Sequence, residues 1–196
     1  GETAPEPDPC GEPITGPGDV WELGPHRVMC GNARVEDDLR LLMGRDVADA
    51  VFTDPPYNVR IDGHVGGKGK TKHREFSEAS GEMSKAEFRD FLETTLGNTS
   101  AFSRSGSVHY VCMDWRQAAV LATVGSDIIG PQINLCVWVK TNGGMGSLYR
   151  SQHELVLVFT KSGATHRNNV QLGRFGRNRT NVWTYAGVNT FREGRM

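Results

Sequence analysis

The chain carries little that would announce a partner, a compartment or a metal. Its formal net charge is −1 over 196 residues, so the general excess of Lys and Arg that usually marks a polyanion-binding protein is missing. No stretch approaches the about 18 apolar residues of a membrane span, and the N-terminus has no apolar run of the secretory kind. A cytoplasmic protein without a membrane partner is therefore expected. The four cysteines, Cys10, Cys30, Cys112 and Cys136, form no short-spaced pair, which argues against zinc-ligand spacing and against a disulfide framework. Three of them lie in or beside apolar segments, where cysteine behaves as a small hydrophobe. The ordered glycine-to-Lys-Ser/Thr phosphate loop is absent, as is a helical His-Glu-x-x-His, and no metal is expected. Apolar residues make up 37% and glycines number 24, so much of the chain is loop, although its length suffices for one domain with a full core.

What is present centres on residues 48–58, Ala-Asp-Ala-Val-Phe-Thr-Asp-Pro-Pro-Tyr-Asn. An apolar, β-branched run leads straight into an acid, two prolines and an aromatic ring, the pattern of a buried strand that ends in a rigid loop. Neither proline donates a backbone hydrogen bond and each fixes its own φ, so the carbonyls of Asp54 and Pro55 are held in set directions. The Asp54 carboxylate and the Pro55 carbonyl can accept the two hydrogens of an exocyclic amine, while Tyr57 stacks on the ring that carries it and Pro56 adds contact.

This tetrad resembles the catalytic motif of the amino-methylating DNA methyltransferases, which modify adenine N6 or cytosine N4. The flanks 26–33 (His-Arg-Val-Met-Cys-Gly-Asn-Ala), 73–76, 79–84, Trp138-Val139-Lys140 and 153–159 are similar to the subgroup whose catalytic motif precedes its cofactor motif. The likeness runs from about residue 18 to residue 192. It implies a partial doubly wound, Rossmann-like α/β sheet ending in an antiparallel hairpin, with Asp54, Pro55, Pro56 and Tyr57 catalytic. It also implies S-adenosyl-L-methionine as cofactor and double-stranded DNA as substrate. An aspartate at position 54 favours adenine N6; methylation of cytosine N4 and a non-catalytic DNA-binding or interaction module are the alternatives. The glycine-rich cofactor loop of the family, and the His-Pro-Thr-x-Lys-Pro-like segment before it, are not found. The expectation is thus a catalytic half that binds no cofactor by itself, needs the missing cofactor-binding half, and self-associates through an open sheet edge.

Residues 1–18, rich in Pro, Gly and Glu, read as a linker or disordered tail. Two short strands are expected at 19–23 and 27–30, around Gly24-Pro25. The helix expected over Glu36–Met43 follows Asn32, which stands where the family usually has an aspartate near the cofactor's adenine. Asn32 is either a cofactor contact or a turn or cap residue. Residues 59–82 read as a mobile glycine-rich loop that presents Lys68, Lys70 and Lys72 to phosphate. Ser84 with Glu87 predicts a capped helix from Lys85 to about Leu96. A strand over 107–113 ends in Asp114-Trp115, where Trp115 either walls the base or cofactor pocket or packs, buried, on the next helix, 117–124. Strands over 133–139 and 154–160 follow, with Lys140 just beyond the first. A catalytic half over 19–160 then gives way to residues 161–196, with seven Lys or Arg against the single acid Glu193, read as the start of a target-recognition region. The DNA contacts expected are Asn58, Lys68, Lys70, Lys72, Lys140, Arg174, Arg177 and Arg179.

Overall fold

The computed structural model describes residues 14–59, 77–141, 143 and 148–185. Residues 60–76, with Lys68, Lys70 and Lys72, lie outside the described ones, as do residues 1–13 of the tail 1–18 and residues 186–196.

Strands β1 (Val20–Leu23) and β2 (His26–Met29) form a separate antiparallel pair, and Gly24 takes φ 62° at their turn, a value open to glycine at little cost. Helix α1 (Glu36–Met43) leads to β3 (Ala48–Thr53), α2 (Lys85–Ala101), β4 (Ser103–Met113), α3 (Ala118–Ile128), β5 (Gln132–Lys140), β6 (His153–Thr160) and β7 (Val182–Tyr185). The main sheet has the order β3-β4-β6-β5-β7. Strand β3 is parallel to β4, β5 is parallel to β7, and β6 runs antiparallel to both its neighbours. The fold is a mixed α/β sheet of the partial Rossmann-like methyltransferase kind, closed by an antiparallel β5–β6 hairpin.

Alternation along β4 and β6 sends two sets of side chains to opposite faces. On one, Val111, Met113, Leu157 and Phe159 join Phe88, Phe91, Leu92 and Leu96 of α2 and Leu121 and Val124 of α3 in the main core. On the other, Cys112, Cys136, Val156 and Val158 form a smaller cluster, against which Tyr57, Tyr110 and Trp183 pack. Cys112 and Cys136 are buried free thiols, and burial, followed by the Asp54 and Glu154 charges, pushes the Cys112 thiol up to about 12.

Helix α2 starts in the expected capping box: the Glu87 amide donates to Ser84 Oγ at 3.3 Å and the Ser84 amide to Glu87 Oε2 at 2.8 Å. It runs one turn past Leu96, because burial of Leu96 and Ser100 outweighs the weak local helix preference there, while the Thr95 and Thr99 hydroxyls are satisfied by the Phe91 and Leu96 carbonyls. Strand β7 lies within 161–196, where the sequence marked no strand. Its Val-Trp-Thr-Tyr sequence suits a strand, but four residues give too short a period to stand out.

Gly125 lets α3 approach the sheet: a Cβ there would lie 2.4 Å from the buried Phe159 ring. Gly125→Val is expected to lower stability by about 2 kcal/mol or more, since overpacking of this size outweighs the helix-propensity gain over glycine. Urea unfolding measures it, and an unchanged midpoint would show that α3 yields freely.

Candidate functional site

The C-terminal ends of β3, β4 and β5 and the start of β6 share one edge of the sheet, and there the sequence places Asp54 to Asn58, Asp114-Trp115, Lys140 and His153-Glu154. At the end of β3, Tyr57 donates its hydroxyl to Asp54 Oδ1 at 2.5 Å. Burial first, and Asp54 second, hold the Tyr57 pKa far above its ordinary value, so this hydroxyl stays protonated and donates at any working pH. The carboxylate is exposed. One oxygen is thus fixed, and the other accepts from no described residue. This anchoring role of Tyr57 was not legible in the sequence, which suggested stacking alone.

Asn58 adopts φ 52°, a conformation that asparagine tolerates better than most residues. Its Oδ1 accepts from the Gly81 and Met83 amides at 3.0 and 3.2 Å, and its Nδ2 donates to the Met83 carbonyl at 2.9 Å. These bonds tie the tetrad loop to the segment leading into α2, so the structure employs the Asn58 amide as a brace.

Trp115 is 58% exposed with the Arg116 guanidinium 4.8 Å from its ring centre, while Arg116 also pairs with Asp114. A buried tryptophan packing on the following helix is therefore excluded. Lys140 donates to Glu154 Oε1 at 2.5 Å and lies 5.4 Å from the Trp138 ring centre. Its charge is already met within the hairpin. Asn32 is a turn residue and not the helix cap: its Oδ1 accepts from the Arg34 amide, and the N-cap position falls to Val35. Asn32 borders a cavity of about 170 Å³ beside Leu39 and Leu42. A larger hollow of about 550 Å³ lies between Arg34 and the start of α2, lined by Met83, Ala86, Glu87 and Phe91. Neither cavity is lined by Asp54 or Tyr57, and the one at Asn32 is below the roughly 300 Å³ at which small-molecule sites begin. Arg174, Arg177 and Arg179 lie apart from this edge, in the exposed segment before β7.

A sheet of this order, with an anchored acid at the end of β3, defines a methyltransferase-like α/β protein. The chain belongs to the DNA methylase family of N6/N4 methyltransferases, whose model matches residues 48–193. Among solved structures, it is similar to TTHA0409, a candidate DNA modification methylase from Thermus thermophilus. The selenomethionine form is 18% identical over 80% of this chain and 66% of that one, with a TM-score of 0.50. The form in complex with S-adenosyl-L-methionine is 16% identical over 80% and 65%, with a TM-score of 0.51. The M1.HpyAVI–SAM complex is 16% identical over 62% and 47%, with a TM-score of 0.41. These likenesses are to the fold, and the chain spans between 47% and 66% of the length of these solved relatives. No curated protein matches. No described helix is long and apolar enough to cross a membrane.

Proposed function

We propose that this chain is the target-base half of an S-adenosyl-L-methionine-dependent DNA methyltransferase acting on adenine N6, of the subgroup whose catalytic motif comes before the cofactor motif. The observation that carries the reading is the exposed Asp54 carboxylate, with Oδ1 held by Tyr57 and Oδ2 accepting from no described residue. Adenine N6 is hidden inside a duplex, so the base has to be flipped out to reach this edge. There Asp54 Oδ2 and the Pro55 carbonyl accept the two amine hydrogens. Positive charge that develops on the nitrogen as it forms its new bond is met by the carboxylate, which is already oriented. Tyr57 keeps that orientation and, with Pro56, flanks the base. S-adenosyl-L-methionine supplies an activated methyl group when bound, held mainly by a cofactor-binding half, with Asn32 and Trp115 as contacts from this side.

Strand β3 pairs with β4 alone among the described strands, and Phe52 on it is 65% exposed. The free edge is where that half adds a strand; without it, copies of this chain associate there. The same reading makes Lys68, Lys70 and Lys72 phosphate contacts and 161–196 the start of target recognition, with Arg174, Arg177 and Arg179 as DNA contacts.

Titration calorimetry with S-adenosyl-L-methionine and tritiated-methyl transfer to mixed-sequence DNA test it. The chain alone should neither bind the cofactor tightly nor turn over, and supplying the cofactor-binding half should give N6-methyladenine by mass spectrometry. Micromolar binding by the lone chain would refute its being a half, and methylcytosine as product would refute adenine as target.

A further inference from the structure

Asn58 stands one residue beyond Tyr57 and binds its side chain to a turn far along the sequence. Its Oδ1 accepts from the amides of Gly81 and Met83, 23 and 25 residues on, and its Nδ2 donates to the Met83 carbonyl. All three bonds are part-buried, where water competes less for the same groups. The receiving turn is itself held in shape. The Glu82 carboxylate accepts from the Ala79 and Ser80 amides at 2.5 and 2.6 Å, one on each oxygen. Ala79 takes φ 54° and Gly81 φ 92°, and Ala79 is fully buried in the main core, against which Met83 also packs.

Tyr57 depends on its neighbours for its place. Its hydroxyl reaches back three residues to Asp54 Oδ1, and the rings of Pro55 and Pro56 fix φ at the two positions between. The backbone of Tyr57 and Asn58 is therefore where the loop keeps most freedom to carry the ring away from the carboxylate. Asn58 lies in the left-handed region at φ 52°, which asparagine adopts at less cost than most residues. Glycine would suit that φ equally well but would make none of the three bonds. An asparagine amide can accept from two N–H groups and donate to a carbonyl at once.

We propose that Asn58 is a positioning residue for the reaction at Asp54: by clamping the tetrad loop to the turn 79–83, it holds the Tyr57 hydroxyl on Asp54 Oδ1 and keeps the carboxylate aimed at the amine. The proposal rests on the reading of the chain as an amino-methyltransferase. Asn58 touches no reacting atom in this role. Its effect passes through Tyr57, from a turn anchored in the core to the one side chain that orients the acid.

NMR of the chain by itself tests the clamp without cofactor or turnover. A proton held in a charge-assisted bond of 2.5 Å between Tyr57 and Asp54 should resonate far downfield and exchange slowly with water, and Tyr57→Phe identifies it by abolishing it. Asn58→Gly should lose that resonance while the chain stays folded. In the enzyme completed by its cofactor-binding half, Asn58→Gly should slow single-turnover methyl transfer about tenfold and leave DNA affinity unchanged. The variant carrying both Asn58→Gly and Tyr57→Phe should be no slower than Tyr57→Phe alone, because both changes remove the same orientation. A resonance that persists in Asn58→Gly, or losses that multiply to about 100-fold in the double variant, overturns the clamp and leaves the methyltransferase reading standing. A wild-type chain without the resonance overturns it as well, since there is then no held pair. An Asn58→Gly chain that does not fold overturns it too, by giving the three bonds to the fold as a whole. A completed wild-type enzyme that transfers no methyl group refutes the methyltransferase reading, and with it the role in the reaction, whatever the resonance shows.

Discussion

Asp54→Ala is expected to slow methyl transfer by at least ~100-fold in the enzyme completed by its cofactor-binding half, and to leave DNA affinity nearly unchanged. Loss of one preorganised group that meets charge developing in the transition state typically costs about 10²–10³ in rate. On the proposed reading Asp54 is such a group, because Tyr57 fixes its Oδ1 in advance and little reorganisation is left for the moment of reaction. Tyr57→Phe should cost less, about tenfold, since it removes one hydrogen bond to the carboxylate and keeps the ring. Single-turnover transfer beside DNA binding separates the two. Nearly normal chemistry in Asp54→Ala would sink the assignment, and an equal loss in both variants would place the main effect in the orientation of the carboxylate.

The second large effect concerns acid. His109 on β4 is fully buried, its Nε2 lies 3.0 Å from Ser107 Oγ, and its Nδ1 has no hydrogen-bond partner. Burial, and then the Lys161 charge, lower its pKa from 6.5 to about 4. Above pH 6.5 the ring is neutral in both states and imposes no penalty. As the pH falls from 6.5 toward 4, the unfolded chain takes up a proton that the folded one refuses, so stability is lost through that window and levels off below it. The loss approaches about 3 kcal/mol, because each tenfold difference in proton affinity between the two states is worth roughly 1.4 kcal/mol. Urea unfolding of the wild type between neutral pH and pH 4 should show this slope, and His109→Gln should flatten it. If both lose stability alike with falling pH, other groups govern acid unfolding.

Much of the local structure was legible because it is governed by local rules. Helix α1 matches the expected Glu36–Met43, since Leu39, Leu42 and Met43 mark one side of a helix. Ser84 and Glu87 place the start of α2, because a capping box is an exchange of hydrogen bonds between residues three apart. Its far end is not legible in the same way: Gly97 and the Ser and Thr residues weaken local helix preference, and burial of Leu96 and Ser100 overrides it. The exposure of Trp115 was equally hidden, since packing around the strand end, and no local pattern, decides which side chains are left in solvent.

The sequence by itself determined the tetrad: Asp54, two prolines and Tyr57 at the end of an apolar strand, because φ restriction and strand periodicity act within a few residues. It also determined that β5 and β6 pair as a hairpin. The tertiary structure alone decided that β6 inserts between β4 and β5, that β7 joins the far side of β5, and that Lys140 directs its charge to Glu154. It alone turned the Tyr57 hydroxyl onto Asp54 Oδ1. Strand order and side-chain partnership join residues far apart in the chain, and they follow from which faces can be buried together and which charges then meet, a choice that no local pattern encodes.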